Sequence, residues 1–213
     1  MPFEHYVLHF LCKRISVAAF TNNQTRLNFL AEQGTSPKDK SLYLPLYKAA
    51  LRGDWESAKA FLDRHDILDA VTAKITAFST TALHVAVGTG RAIHFVQNLV
   101  HLMPPEALAL CDELGNTALN VAALVGNTEA AIILVKKNPA LLHIRNNRGW
   151  LPVHRAALNA HRDTLLYLMA SHKEDLVLES LSLTDQSGVE LLVDVIDSGF
   201  YGKLYFYAVM YTD

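Results

Sequence analysis

The residues that first invite a chemical reading in this 213-residue chain are its ten histidines. A protein-bound zinc ion needs three or four imidazole, thiolate or carboxylate ligands converging on one point. His94 and His101 lie seven residues apart, as do His154 and His161, so each pair would share a side of a continuous helix. Neither pair has an acidic residue in helical register, no HExxH run exists, and a turn is expected between His154 and His161. His161-Arg162-Asp163 mimics the catalytic loop of a phosphotransfer enzyme. Leu168 stands where that chemistry needs an asparagine for its metal. Gly88-Thr89-Gly90 lacks the third glycine of a dinucleotide-binding loop, and neither a P-loop nor a GxSxG turn is found. Cys12 and Cys111 are far apart and form no CxxC, so they read as two reduced, core-type thiols of a cytosolic chain. No catalytic residue, cofactor or metal ligand is expected.

What positions these residues is a repeat. Leu44-Pro45-Leu46-Tyr47-Lys48-Ala49-Ala50-Leu51-Arg52-Gly53 is answered by Thr81-Ala82-Leu83-His84-Val85-Ala86-Val87-Gly88-Thr89-Gly90. A third copy runs from Thr117 to Gly126, a fourth from Leu151 to Ala160, and a degenerate fifth from Glu190 to Gly199. Successive copies begin 37, 36, 34 and 39 residues apart. Each reads as a short helix, a left-handed stop at glycine, and a second helix folding back. Proline suits a first helical turn, where its missing N–H costs nothing, and Pro45 and Pro152 fall there. The alanine pairs let backbones approach closely. Second helices are expected near Trp55–Asp63, Ile93–Leu102, Glu129–Lys137 and Thr164–Ser171. Loops are expected at Ile67–Thr80, Leu110–Asn116, His143–Trp150 and Leu183–Gly188.

Composition agrees with a packed chain. Hydrophobic residues make up 51% and charged residues 19%, which excludes a disordered polyelectrolyte. A net charge of −2 argues against a nucleic-acid or anionic-membrane surface. No apolar run reaches the roughly 18–20 residues that span a bilayer.

The copies resemble the ankyrin repeat, whose motif is Thr-Pro-Leu-His-x-Ala-Ala-x-x-Gly with a period of about 33 residues. The resemblance implies an all-α ankyrin-repeat solenoid of stacked helix-turn-helix units with hairpin-like finger loops. It also implies a bond between the Thr81 hydroxyl and the His84 ring. The third copy offers Thr117 with Asn120, and the fourth Leu151 with His154. The chain then divides into an N-terminal amphipathic segment and linker (1–41) able to cap the array, about five repeats (42–200), and an aromatic tail (201–213). Leu46–Trp55, Thr81–Ala86 and Gly188–Leu192 further resemble the plant ankyrin-repeat membrane proteins of the accelerated-cell-death and salt-tolerance type, without their C-terminal Pro-Gly-Gly membrane domain.

These resemblances imply a non-catalytic protein-interaction scaffold in plant stress or defence signalling, located in the cytoplasm. The alternative is the cytosolic regulatory part of a multi-pass membrane protein whose spanning part is missing from this chain, at the cytosolic face of a membrane. The partner is expected to be a protein gripped on a concave face of fingers and first helices, with no nucleic acid. On that face the residue after the motif histidine should be exposed: Lys48, Val85, Val121 and Arg155. The finger before the fourth copy adds Arg145, Arg148 and Trp150, residue types common among binding hot spots. Lys48, Arg145, Arg148, Trp150 and Arg155 are therefore the candidate protein-binding residues.

Overall fold

The computed structural model describes residues 41–171. Among them nine α-helices form and no strand does. In chain order these are α1 (Leu44–Arg52), α2 (Trp55–Leu62), α3 (Ile67–Thr72), α4 (Ala82–Gly88), α5 (Ile93–Leu102), α6 (Ala118–Val125), α7 (Thr128–Lys137), α8 (Pro152–Leu158) and α9 (Arg162–Ser171). Two short 3-10 turns, Pro105–Ala109 and Pro139–His143, follow α5 and α7. The fifth copy, most of the N-terminal segment and the aromatic tail lie outside the described residues.

Four helix pairs stack in two layers. The first helices α1, α4, α6 and α8 each pack on the next, and so do the second helices α2, α5, α7 and α9. The sequence dictates which layer is thin. Ala49, Ala50, Ala86, Ala122, Ala123, Ala156 and Ala157 are all buried where first helices meet their neighbours. A larger side chain there would force backbones apart, an overpacking cost of about 1–3 kcal/mol. The second helices supply bulk instead: Phe61, Leu62, Phe95, Leu99, Leu134, Leu165 and Leu168 are buried. Trp55 meets Phe95 edge to face at 5.6 Å across the first two repeats. No repeat covers its own apolar face, so stability resides in the interfaces between repeats.

The turn joining each pair repeats its geometry. Gly53 (φ +68°) and Gly126 (φ +74°) stop α1 and α6 in the left-handed region. The next residue's N–H then reaches back five positions: Asp54 to the Ala49 carbonyl at 3.0 Å, and Asn127 to that of Ala122 at 2.9 Å. His161 bonds the Ala156 carbonyl in the same way at 3.0 Å, yet the left-handed residue before it is Ala160, at φ +56°. Asp54 and Asn127 also cap the second helices, accepting from Ser57 N (3.0 Å) and Ala130 N (3.1 Å). From the same position Asn127 Nδ2 donates to the Val87 carbonyl (3.2 Å), and His161 Nε2 to that of Leu124 (2.9 Å). Both tie one repeat to the repeat before.

One expected loop is partly helical. Residues 67–80 hold α3, because Asp66 caps it through Asp69 N at 2.9 Å and Ala70 and Val71 are buried. The apolar middle of that stretch is thus a helical turn packed on α4.

The candidate protein-binding face

Three finger turns project between the helix pairs, and each is closed by its own first side chain. Asp112 Oδ1 accepts from Leu114 N (2.9 Å) and Asn116 N (2.8 Å). Asn146 Oδ1 accepts from Arg148 N and Trp150 N, both at 3.0 Å. Thr76 Oγ1 accepts from Thr80 N at 3.2 Å. These are Asx- and ST-type turns, which is why Thr, Asp and Asn recur at that position. The fourth residue of each turn has positive φ: Gly115 at +76°, Gly149 at +77°, and Ser79 at +56°.

The fingers are laddered to one another. Glu113 N donates to the Phe78 carbonyl, and Asn147 N to the Leu114 carbonyl, each at 3.0 Å. Asn146 Nδ2 adds a bond to Asn116 Oδ1 at 2.9 Å, and Asn147 Nδ2 one to the Glu113 carbonyl at 3.0 Å. The third residues of the turns, Phe78, Leu114 and Arg148, therefore follow one another in a row. Phe78 is 41% exposed, Leu114 is 62% exposed, and Arg148 is also exposed.

The helices hold the fingers through the motif histidine. His84 Nδ1 accepts from Thr81 N (3.3 Å) and pairs with Thr81 Oγ1 (2.8 Å). A backbone N–H can only donate, so the proton sits on Nε2, which donates to the Asn116 carbonyl of the next finger at 3.0 Å. Burial pushes the His84 ring below its ordinary pKa, and the bond to Asn116 opposes that only in part. In the third copy Asn120 Oδ1 accepts from Thr117 N (3.1 Å) and Oγ1 (2.8 Å), but its Nδ2 is buried with no partner. In the fourth, His154 Nδ1 accepts from Leu151 N at 3.3 Å.

The expected binding residues fall into two groups. Arg148, Trp150 and Arg155 come together: both guanidinium carbons lie over the Trp150 ring, at 5.2 and 5.8 Å. Arg145 joins the same finger by donating from Nη1 to the Gly149 carbonyl at 2.7 Å. Lys48 is exposed but sits on α1, in the first repeat, and forms no part of this cluster. Val85 and Val121, expected to be exposed, are buried at 8% and 4% exposure. Short β-branched side chains there fold into the seam between first helices, whereas the longer Lys48 stays exposed and Arg155 half-buried. Burial holds the Arg155 guanidinium below the usual range, with the charge of Arg148 acting in the same direction and Asp112 against it. Its Nε is buried without a hydrogen-bond partner.

The finger row itself escaped the sequence reading. No motif marks Phe78 and Leu114, although their register with Arg148, two residues after Thr76, Asp112 and Asn146, is visible in the sequence. Burial also pushes the half-buried Cys111 thiol up, with the charge of Lys74 acting against it. Among the described residues no group of three potential metal ligands forms, and no helix is long and apolar enough to cross a membrane.

Residues 90–179 match the family model described as ankyrin repeats, in three copies. The chain is 39% identical over 59 residues to the Notch-regulated ankyrin repeat-containing protein A of Danio rerio, covering 28% of this chain and 52% of that protein. It is 26% identical over 155 residues to the human ankyrin repeat domain-containing protein 13C, covering 73% of this chain and 28% of that one. The chain thus spans about half the length, or less, of the curated relatives it matches. A chain in the crystal structure of the yeast ribosomal protein Rps3 with its chaperone Yar1 superposes with a TM-score of 0.55 at 21% identity, over 65% of this chain and 96% of that one. At that identity the likeness is one of fold.

Proposed function

We propose that this ankyrin-repeat array is a non-catalytic scaffold that grips a partner protein along its finger edge. Ankyrin repeats in general are binding scaffolds rather than enzymes. The observation that carries the reading here is the laddered row of Phe78, Leu114 and Arg148. Hydrogen bonds between fingers hold the backbone beneath two large apolar side chains that remain 41% and 62% exposed. An array whose stability lies in its repeat interfaces gains nothing in folding from such exposure, while a docking partner would gain apolar contact area.

The finer reading places this binding in stress or defence signalling, on the motif resemblance to the plant membrane-associated family. The vertebrate relatives named above lend that assignment no support. The match to the Danio rerio protein covers 59 residues, shorter than two repeats.

Affinity capture with the full chain as bait tests the scaffold reading. Partners should be held by the native chain and lost by Leu114→Ser and by the Arg145→Glu/Arg148→Glu double variant. Recovery of no protein whose capture depends on the fingers would refute it.

A further inference from the structure

Resting on the scaffold reading, we propose that the Arg148–Trp150–Arg155 cluster receives a carboxylate side chain from an extended segment of the partner. Apolar side chains of the same segment then lie on Leu114 and Phe78.

Two cations share one ring here. Arg148 and Arg155 each place a guanidinium carbon within 6 Å of the Trp150 ring centre, at 5.2 and 5.8 Å. Ring contact favours each cation singly, but two like charges drawn to one ring repel. Arg155 is half-buried and its enclosed Nε has no partner, so its charge is poorly compensated within the fold. A buried cation lacking an anion is costly, and a carboxylate is the group that a guanidinium fork matches. Asp112 acts on Arg155 as the opposing charge, yet its oxygens already accept from Leu114 N, Asn116 N and Asn116 Nδ2. It closes its own finger and is committed there.

The charge around the cluster selects among anions. Asp112 and the exposed Glu113 stand on the adjacent finger, so a second negative charge on the incoming group would be repelled. That favours a monoanionic carboxylate over a dianionic phosphate. The tips to either side decide what accompanies the acid. The row runs apolar, apolar, basic through Phe78, Leu114 and Arg148, joined by bonds of 3.0 Å between consecutive fingers. A segment lying across it meets apolar surface on one side of the arginines.

The probe is a capped hexapeptide, acetyl-Leu-Ser-Leu-Ser-Glu-Ser-amide, beside versions carrying Gln or phosphoserine in place of Glu. Each is titrated into the isotope-labelled full chain at low salt. The Arg155 Nε–H resonance and Trp150 fluorescence are followed, with Trp55→Phe removing the other indole. The Glu peptide should bind at least about ten-fold tighter than the Gln peptide, one carboxylate–guanidinium pair being worth roughly that factor. Added salt should shrink the gap. Arg155→Met, and separately the surface variant Arg148→Met, should bring the two peptides within about two-fold.

Equal binding of the Glu and Gln peptides overturns the proposal. So does discrimination that survives in both variants, or a clear preference for phosphoserine. Binding of none of the peptides overturns it too, and the scaffold reading still stands if Leu114→Ser abolishes capture of a partner.

Discussion

Asn120 is where the repeat falls short of its own logic, so Asn120→His should stabilise the chain. Asn120 Oδ1 accepts the same two bonds from Thr117 that His84 Nδ1 takes from Thr81, at nearly the same distances. What the shorter side chain lacks is reach. His84 Nε2 crosses to the Asn116 carbonyl of the next finger, while Asn120 Nδ2 is buried with no partner. An orphaned buried donor costs about 1–3 kcal/mol, and a hydrogen bond made returns a net 0.5–1.5 kcal/mol or so. The carbonyl in register with Asn116 is that of Trp150, which accepts from Asn146 N as the Asn116 carbonyl accepts from Asp112 N. Room is the opposing term, since extra atoms in a tight core cost about 1–3 kcal/mol. His84 and His154 occupy the same position in their repeats at 2% and 0% exposure, so that cost falls at the low end. The balance is a gain of about 1 kcal/mol. Urea unfolding followed by circular dichroism at pH 7 should show a raised midpoint with an unchanged slope. His84→Asn should lower the midpoint by a similar amount. A midpoint for Asn120→His that is unmoved or lowered, with the slope intact, would refute the reasoning.

Further predictions concern the same repeat geometry. Ser79 and Ala160 hold left-handed backbone where other repeats place glycine, so Ser79→Gly and Ala160→Gly should each raise stability by about 0.5–1 kcal/mol in the same unfolding assay. Gly115→Ala and Gly149→Ala share a positive φ, but a Cβ on Gly115 would lie 2.7 Å from Asn147 N and one on Gly149 would meet nothing within 4 Å. The first should therefore cost at least about 2 kcal/mol and the second about 1 kcal/mol, a difference readable from urea midpoints. His84 is held neutral by burial, so its folded pKa lies below the ordinary 6.5. The unfolded chain then binds more protons as pH falls through 6.5, and stability drops toward the depressed folded value by at most about 1.4 kcal/mol per pH unit. Midpoints compared at pH 7 and pH 5 should show this loss in the native chain, and a smaller one in His84→Asn.

The helix pairs were legible because periodic alanines and a stop residue at fixed offset carry local instructions. Ile93–Leu102 was read to the residue, and the other second helices to within two. The Thr81–His84 bond is the one that the ankyrin resemblance implies. What eluded the reading depends on length and neighbours. Whether the residue after the motif histidine is exposed turns on whether its side chain outreaches the seam, which separates Lys48 and Arg155 from Val85 and Val121. The convergence of Arg148 and Arg155 on Trp150 joins a finger to a helix start, and no local pattern announces it. The finger row was hidden differently. Its members are unlike in type, and only the bonds between fingers reveal that they are neighbours.

Among the described residues two buried side-chain atoms lack a partner, Asn120 Nδ2 and Arg155 Nε, and their surroundings assign them different meanings. Asn120 is fully enclosed between first helices, so no ligand reaches it and its orphaned donor only lowers stability. Arg155 is half-buried beside an exposed finger tip, so although its Nε is enclosed, the charge of the side chain can be balanced by an anion arriving at the finger edge. The defect is therefore repaired by mutation at Asn120, whereas at Arg155 binding can offset the charge. A variant carrying Asn120→His should unfold later yet bind any partner as before, whereas Arg155→Met should relieve an uncompensated cation and weaken the grip on an acidic segment. Stability and affinity moving in opposite directions at Arg155, and independently at Asn120, would separate the part of the array that holds itself together from the part that holds something else.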